Sequence, residues 1–252
     1  VSEPLPWRRV WITGASTGIG LAVARQMAAQ GVTVAISARN VDALKAAAAD
    51  NPNIKAYGLD VTDEKAVAIT FASIERELGP IDLIIAAAGA YSPVRLDDFT
   101  PKPFKTMHEV NFLGVINVLA AALPVFRVRR KGHLAWVASV AGYRGLPKAA
   151  AYGPTKAALI NLAESLKPEL ERDGIAVSVI NPGFVKTPMT AQNDFEMPFL
   201  MDVEDAARQT IAGLAKGRFE VAYPTPFVAI LKLARILPYR LFFALIKGFV
   251  LK

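Results

Sequence analysis

Over roughly its first 180 residues the chain alternates between two hydrophobic periods, and this alternation restricts the fold more than any other feature. Short apolar runs rich in β-branched residues occur at 10–14 (VWITG), 32–38 (VTVAISA), 81–89 (IDLIIAAAG), 133–139 (HLAWVAS) and 175–183 (IAVSVINPG). Between them, alanine-rich stretches at 18–30, 63–78, 104–128 and 152–172 place apolar residues at helical spacing. A strand that is apolar on both faces must be covered on both, which a parallel sheet achieves with its crossover helices. The expected fold is α/β: one doubly wound parallel sheet with helices on both faces, residues 1–252 forming a single domain. No repeat or low-complexity linker divides the chain.

Composition removes whole classes of chemistry. With 53% hydrophobic and 20% charged residues the chain is not a disordered one. It has no cysteine and two histidines, His108 and His133. Disulfide scaffolds, thiolate metal sites, cysteine nucleophiles and paired-histidine zinc sites are excluded, so no metal is expected and both histidines read as structural. Reaction chemistry must come from carboxylates, hydroxyls, lysine or a borrowed cofactor. A cysteine-free chain suits a reducing cytoplasm, the expected location. The opening VSEPLPWRRV has no apolar run, so no signal peptide or anchor is expected there. The net charge of +7 is uneven: residues 221–252 hold five basic side chains and no acidic one, leaving 24 basic against 22 acidic residues elsewhere. A nucleic-acid enzyme carries its charge along a groove in the body, and no nucleic-acid partner is expected.

The run Thr13-Gly14-Ala15-Ser16-Thr17-Gly18-Ile19-Gly20 follows the first strand and opens the first helix. Its glycines suit a tight turn, a close backbone approach and a helix held hard against a strand. The free N–H groups at the helix start form a pyrophosphate site. Further on, Tyr152 and Lys156 stand four apart in a helical segment, so both side chains leave one face. Tyrosine titrates near 10, and an adjacent ammonium is expected to lower that value toward neutrality. Ser139, at a strand end, can steady charge developing on a substrate oxygen.

These motifs, in order, resemble those of the short-chain dehydrogenase/reductase family, with its Rossmann-like sheet. The resemblance runs from residue 8 to about 220 and rests on TGASTGIG at 13–20, Asp60-Val61, Asn111, Ser139, Tyr152-x-x-x-Lys156 and Asn181-Pro182-Gly183 leading to Thr187. It implies a dinucleotide held by Gly14, Ser16, Thr17, Gly18, Ile19, Gly20, Ala88 and Gly89, with Asp60 accepting from the adenine amine and Val61 against the ring. Pro182, Gly183, Val185 and Thr187 would hold the nicotinamide side, and Lys156 the ribose. Tyr152 would pass a proton to a carbonyl oxygen that Ser139 orients. Asn111 would hold a water linking Lys156 to solvent, although a satisfied core amide is the plainer reading of an asparagine there. The chain departs from the family where an Asn-Ala-Gly turn follows the fourth strand: it reads Ala86-Ala87-Ala88-Gly89, without the side-chain amide beside the adenosine.

At the end of the second strand stand Arg39 and Asn40, where an acidic residue would select NAD. A guanidinium can grip a 2′-phosphate with two bonds, and Ser16 can add a hydroxyl, so NADP(H) is preferred over NAD(H). The alternative for Arg39 is a solvated helix-start residue. The expected activity is interconversion of a carbonyl and a secondary alcohol on a hydrophobic small molecule.

Two segments extend this picture. Residues 187–201 (TPMTAQNDFEMPFLM) lack a clear period and read as a substrate lid, or else as an ordinary loop with apolar anchors. Residues 224–252 form a basic amphipathic tail, bulky at Phe227, Phe242, Phe243 and Phe249. Peripheral contact with a membrane, packing over the cleft, and contact with a second subunit all remain open for it. The resemblance implies a homodimer or homotetramer through 104–128 and 152–172. The other function classes open to this chain are a nucleotide-binding scaffold with weak turnover and a membrane-surface binding protein.

Overall fold

The computed structural model describes residues 4–97 and 99–249, Phe249 by its backbone alone; the end of the predicted tail, 250–252, lies outside the described residues. Seven strands, β1 (Arg9–Thr13), β2 (Thr33–Ala38), β3 (Ile54–Gly58), β4 (Leu83–Ala86), β5 (Gly132–Val137), β6 (Ile175–Pro182) and β7 (Glu220–Tyr223), form one sheet in the order β3-β2-β1-β4-β5-β6-β7. Every pairing is parallel. The helices are α1 (Gly18–Ala29), α2 (Val41–Ala49), α3 (Glu64–Leu78), α4 (Pro101–His108), α5 (Gly114–Arg129), α6 (Gly153–Arg172), α7 (Val203–Ala215), α8 (Thr225–Ile236) and α9 (Tyr239–Phe249).

The central strands are apolar on both faces because both are covered. Trp11, Ile84, Leu134 and Trp136 face a core closed by Val67 and Phe71 of α3, Val118 and Phe126 of α5, and Leu159 of α6. Val10, Ile12, Val34, Ile36 and Ile85 face the opposite core with Val23 and Met27 of α1, Leu44 of α2 and Ile211 of α7. The two buried indoles are bonded: Trp11 Nε1 donates to Ser37 Oγ at 2.9 Å, and Trp136 Nε1 to Leu159 O at 2.8 Å. This is the expected doubly wound sheet.

Two strands and one helix were not apparent in the hydrophobic pattern. β3 (IKAYG) and β7 (EVAY) are the sheet's edges, short and partly exposed, and α2 buries only Leu44 and Ala47. The predicted helix at 104–128 is a continuous helical run from Pro101 to Arg129, interrupted by a π-helical turn at Glu109–Leu113. Among the described helices it alone has the length and apolarity to cross a membrane. Its α5 part lies on the sheet through Val118, Leu119, Ala122 and Phe126.

At the β1–β4 neighbourhood the chain turns outward in opposite directions. This switch point opens a crevice at the C-terminal ends of the strands, where ligands of such sheets bind.

Candidate active site

β1 ends at Thr13, and the chain turns through Gly14 (φ 68°) to enter α1 at Gly18 (φ 60°). A Cβ on Gly14 would lie 2.5 Å from Ala88 Cα in the loop after β4, and one on Gly20 would lie 2.8 Å from the Gly14 carbonyl oxygen. These glycines therefore bring strand, turn and helix into backbone contact. Thr17 occupies the helix cap without a side-chain bond, and the first turn carries no acid. The first-turn N–H groups are thus left for an anion.

A cleft of about 350 Å³ runs from this turn along the strand ends. Ser16, Thr17, Ile19, Arg39, Asn40, Asp60, Val61 and Gly89 line it together with Ser139, Tyr152, Lys156, Pro182, Gly183, Val185 and Thr187. The glycine turn meets the last of these, since a Cβ on Gly18 would lie 3.3 Å from Thr187 Cγ2. Of the residues expected to act in catalysis or hold the dinucleotide, Asn111 is absent from the walls. Arg39 is exposed, with no ion-pair partner among the described residues. Asp60 Oδ1 accepts from Thr62 N at 3.0 Å and Thr62 Oγ1 at 2.9 Å. The backbone bond from Thr62 is the main cause holding this carboxyl below its ordinary value, and the charge of Arg39 assists. Asn40 also does local work the motif did not suggest: its Oδ1 accepts from Ala43 N at 3.0 Å and caps α2. Val61 is wedged against α5, where a Cβ on Gly114 would lie 2.7 Å from Val61 Cγ2.

Tyr152 and Lys156 sit at the start of α6, one turn apart. Lys156 is buried, donates from Nζ to the Val137 carbonyl at 2.8 Å, and lies 5.4 Å from the centre of the Tyr152 ring. Ser139 Oγ accepts from Ala141 N at 3.1 Å and donates to Pro182 O at 3.3 Å. Burial pushes Lys156 down to about 7. It pushes Tyr152 up to about 12, opposed by a hydrogen bond with Ser139. The expectation that the lysine lowers the phenol is thereby corrected for the protein alone. Desolvation dominates both groups, and the ammonium is anchored on a main-chain carbonyl beneath the ring.

Asn111, in the π-helical turn, is fully buried behind this wall. Its Oδ1 accepts from Ala90 N at 2.7 Å, while Nδ2 donates to Ala90 O at 3.0 Å and Thr155 Oγ1 at 3.1 Å. Thr155 Oγ1 in turn donates to Tyr152 O at 2.7 Å. The side chain is thus the satisfied core amide of the plainer reading, bracing the loop after β4 against the start of α6.

Several residues around the open end carried no sequence signal. Tyr91 meets the Tyr152 ring edge-on, 5.2 Å between centres and 82° between planes. Asp194, inside the predicted lid, pairs with Arg95 and with Lys148, the latter at 2.9 Å. One carboxylate therefore ties together three loops. His133 behaves as expected of a structural residue: Nε2 lies 2.8 Å from Ser178 Oγ, whose own proton goes to Arg218 O at 2.6 Å. Nε2 must then carry the hydrogen.

Comparison with known proteins gives this geometry a lineage. Residues 8–197 match the family described as short chain dehydrogenase. An uncharacterized oxidoreductase of Myxococcus xanthus is 35% identical over 242 residues, covering 94% of this chain and 96% of that one. The alcohol dehydrogenase of the archaeon Thermococcus sibiricus, solved with 5-hydroxy-NADP, superposes with a TM-score of 0.77 at 27% identity, covering 86% of this chain and 95% of that one. A short chain dehydrogenase/reductase from Burkholderia phymatum, solved with NAD, shares the fold with a TM-score of 0.84 at 20% identity, over 92% and 94% of the two chains. The protein is a member of the short-chain dehydrogenase family of oxidoreductases.

Proposed function

We propose that the protein interconverts a carbonyl and a secondary alcohol on a hydrophobic small molecule, using NADP(H) in preference to NAD(H). The observation that carries this reading is that Ser139, Tyr152 and Lys156 line the same cleft as the glycine turn. The cradle fits a dinucleotide: Gly14 and Gly20 leave no room for side chains, and uncapped N–H groups open α1. Arg39 and Ser16 both line the cleft and are suited to grip a 2′-phosphate, and one oxygen of Asp60 remains free of Thr62 for an adenine amine. When bound, the reduced cofactor supplies the hydride.

The chain's own groups handle the oxygen and the proton. Tyr152, protonated at neutral pH, donates its phenolic hydrogen to the substrate oxygen, and Ser139 Oγ orients that oxygen by hydrogen bonding. Lys156 has three donors, one already on Val137 O, leaving two for the ribose and the proton path. The side-chain amide of Asn111 is engaged by Ala90 and Thr155, and its part is to brace the start of α6, which carries Tyr152 and Lys156. Residues 187–201 close over the substrate as a lid. By family likeness the assembly is a cytoplasmic homodimer or homotetramer, with α4–α5 and α6 at the contact.

The direct test is Tyr152→Phe. Turnover with NADPH and a panel of hydrophobic ketones falls at least a thousandfold, while NADPH affinity stays within about twofold of wild type. Retained turnover removes Tyr152 as the acid.

A further inference from the structure

We propose that the outer face of α8 and α9 is a docking surface for an anionic lipid bilayer, from which the cleft draws a bilayer-dissolved carbonyl substrate. The two helices are fastened to the body. Arg144 Nη1 donates to the carbonyls of Ala234 (2.6 Å), Arg235 (2.9 Å) and Leu237 (2.8 Å), where α8 ends. The same guanidinium lies 4.1 Å from the Phe242 ring centre and 5.0 Å from that of Tyr239. Lys232 pairs with Glu220, and Val228 and Phe242 are buried beneath.

Fastened in this way, the pair still leaves a bulky apolar surface uncovered. Ile230, Leu233 and Ile236 recur every three residues along α8 and are exposed, while Val228 is buried. With Tyr239, Leu241, Phe243 and Leu245 of α9 they are between 46 and 77% exposed. Exposed bulky apolar side chains in this number mark an interaction site.

Charge selects the occupant. Arg235, Arg240 and Lys247 are exposed on these helices, none has an ion-pair partner among the described residues, and no acidic residue occurs from 221 to 252. If a second copy covered the face isologously, the patch would meet itself, and these cations would confront one another with no carboxylate of the segment to balance them. An anionic lipid surface accepts the apolar side chains and neutralises the cations together.

The surface also leads to the cleft. A Cβ on Gly183 would lie 2.9 Å from Phe227 Cδ1, so α8 rests directly on the cleft wall. Phe227 stacks on Phe184 at 5.6 Å and on Phe199 at 5.8 Å, and Phe184 meets Phe195 at 5.8 Å. With the exposed Leu200 these rings make an apolar path from the outer face to the lid. The substrate part of the proposal rests on the oxidoreductase reading above; the docking part does not.

The experiment is co-sedimentation of the full chain with vesicles of phosphatidylcholine alone, or with about one-third phosphatidylserine, at low and high salt, each variant also being titrated with NADPH by fluorescence. Binding to the anionic vesicles is expected to exceed binding to neutral ones about tenfold or more and to weaken with salt. Arg240→Glu with Lys247→Glu, and separately Leu233→Glu with Ile236→Glu, lower it about tenfold or more while NADPH binding is kept, which shows the fold intact. Equal partition onto both vesicle types, or none, overturns the proposal. So does self-association that Leu233→Glu with Ile236→Glu abolishes, in the absence of vesicle binding. Anionic-vesicle binding without NADPH binding by the wild type upholds docking and strikes the active-site reading instead.

Discussion

Lys156 and Tyr152 occupy one desolvated site, and burial drives their proton affinities apart, the lysine down to about 7 and the phenol up to about 12. With Lys156 near 7, the ammonium that helps hold ribose and phenol is present below neutrality and lost above it. Carbonyl reduction should therefore fall along a single-proton limb as pH rises through about 7. In Lys156→Arg that limb moves out of the measurable range; a flat wild-type profile of kcat/KM against pH denies Lys156 this part. His133 makes a stability prediction of definite sign. Burial lowers it to about 4, so the unfolded chain binds the extra proton between about 6.5 and 4. The stabilisation is present above 6.5 and is lost as pH falls through the folded value, amounting to about 3 kcal/mol. Urea midpoints of wild type and His133→Gln should converge toward pH 4; parallel curves refute this. Glycines give a paired contrast. Gly31→Ala meets only its φ of 84° in open space and costs about 1 kcal/mol. Gly14→Ala adds the contact with Ala88 and removes NADPH binding besides. The TGASTGIG, Tyr-x-x-x-Lys and Asn-Pro-Gly motifs put the glycine turn and the Tyr152–Lys156 pair of the cleft within reach of the sequence. The proton affinities were not legible, because they depend on how much water the fold leaves around each group.

Among elements, five strands were evident because both their faces are apolar, whereas β3 and β7 were hidden by being edges with one wet side. The π-helical turn in the α4–α5 run leaves the hydrophobic period of the segment intact and is invisible to it. The proposed lid at 187–201 is marked in the sequence by its irregularity, but the ion pairs that tie it down are not. Asp194 meets Arg95 and Lys148 from 99 and 46 residues away, and nothing local announces such a contact. Exposed ion pairs contribute little to global stability but can set how often a loop opens. Asp194→Asn should accordingly leave the thermal midpoint nearly unchanged, speed proteolytic cleavage within 187–201, and raise KM for the carbonyl more than it changes kcat. Unchanged cleavage and KM would show that the latch does not govern the lid.

The whole molecule divides its labour across one sheet. The strand ends from β3 to β1 present groups suited to adenosine, those from β4 to β6 present groups suited to proton transfer, and α8 with α9 overhang the latter end. The proposed cofactor choice belongs to this scale, since a charge at the C-terminal end of β2 would act on a ligand that spans the crevice. Arg39→Asp places a carboxylate where a 2′-phosphate would sit, and should shift preference toward NADH by about tenfold or more. The most direct measurement of the central claim is fluorescence titration of the wild-type protein with NADPH and, separately, with NADH. The account predicts saturable binding of both, with NADPH about tenfold or more tighter; failure to bind either nucleotide would contradict it.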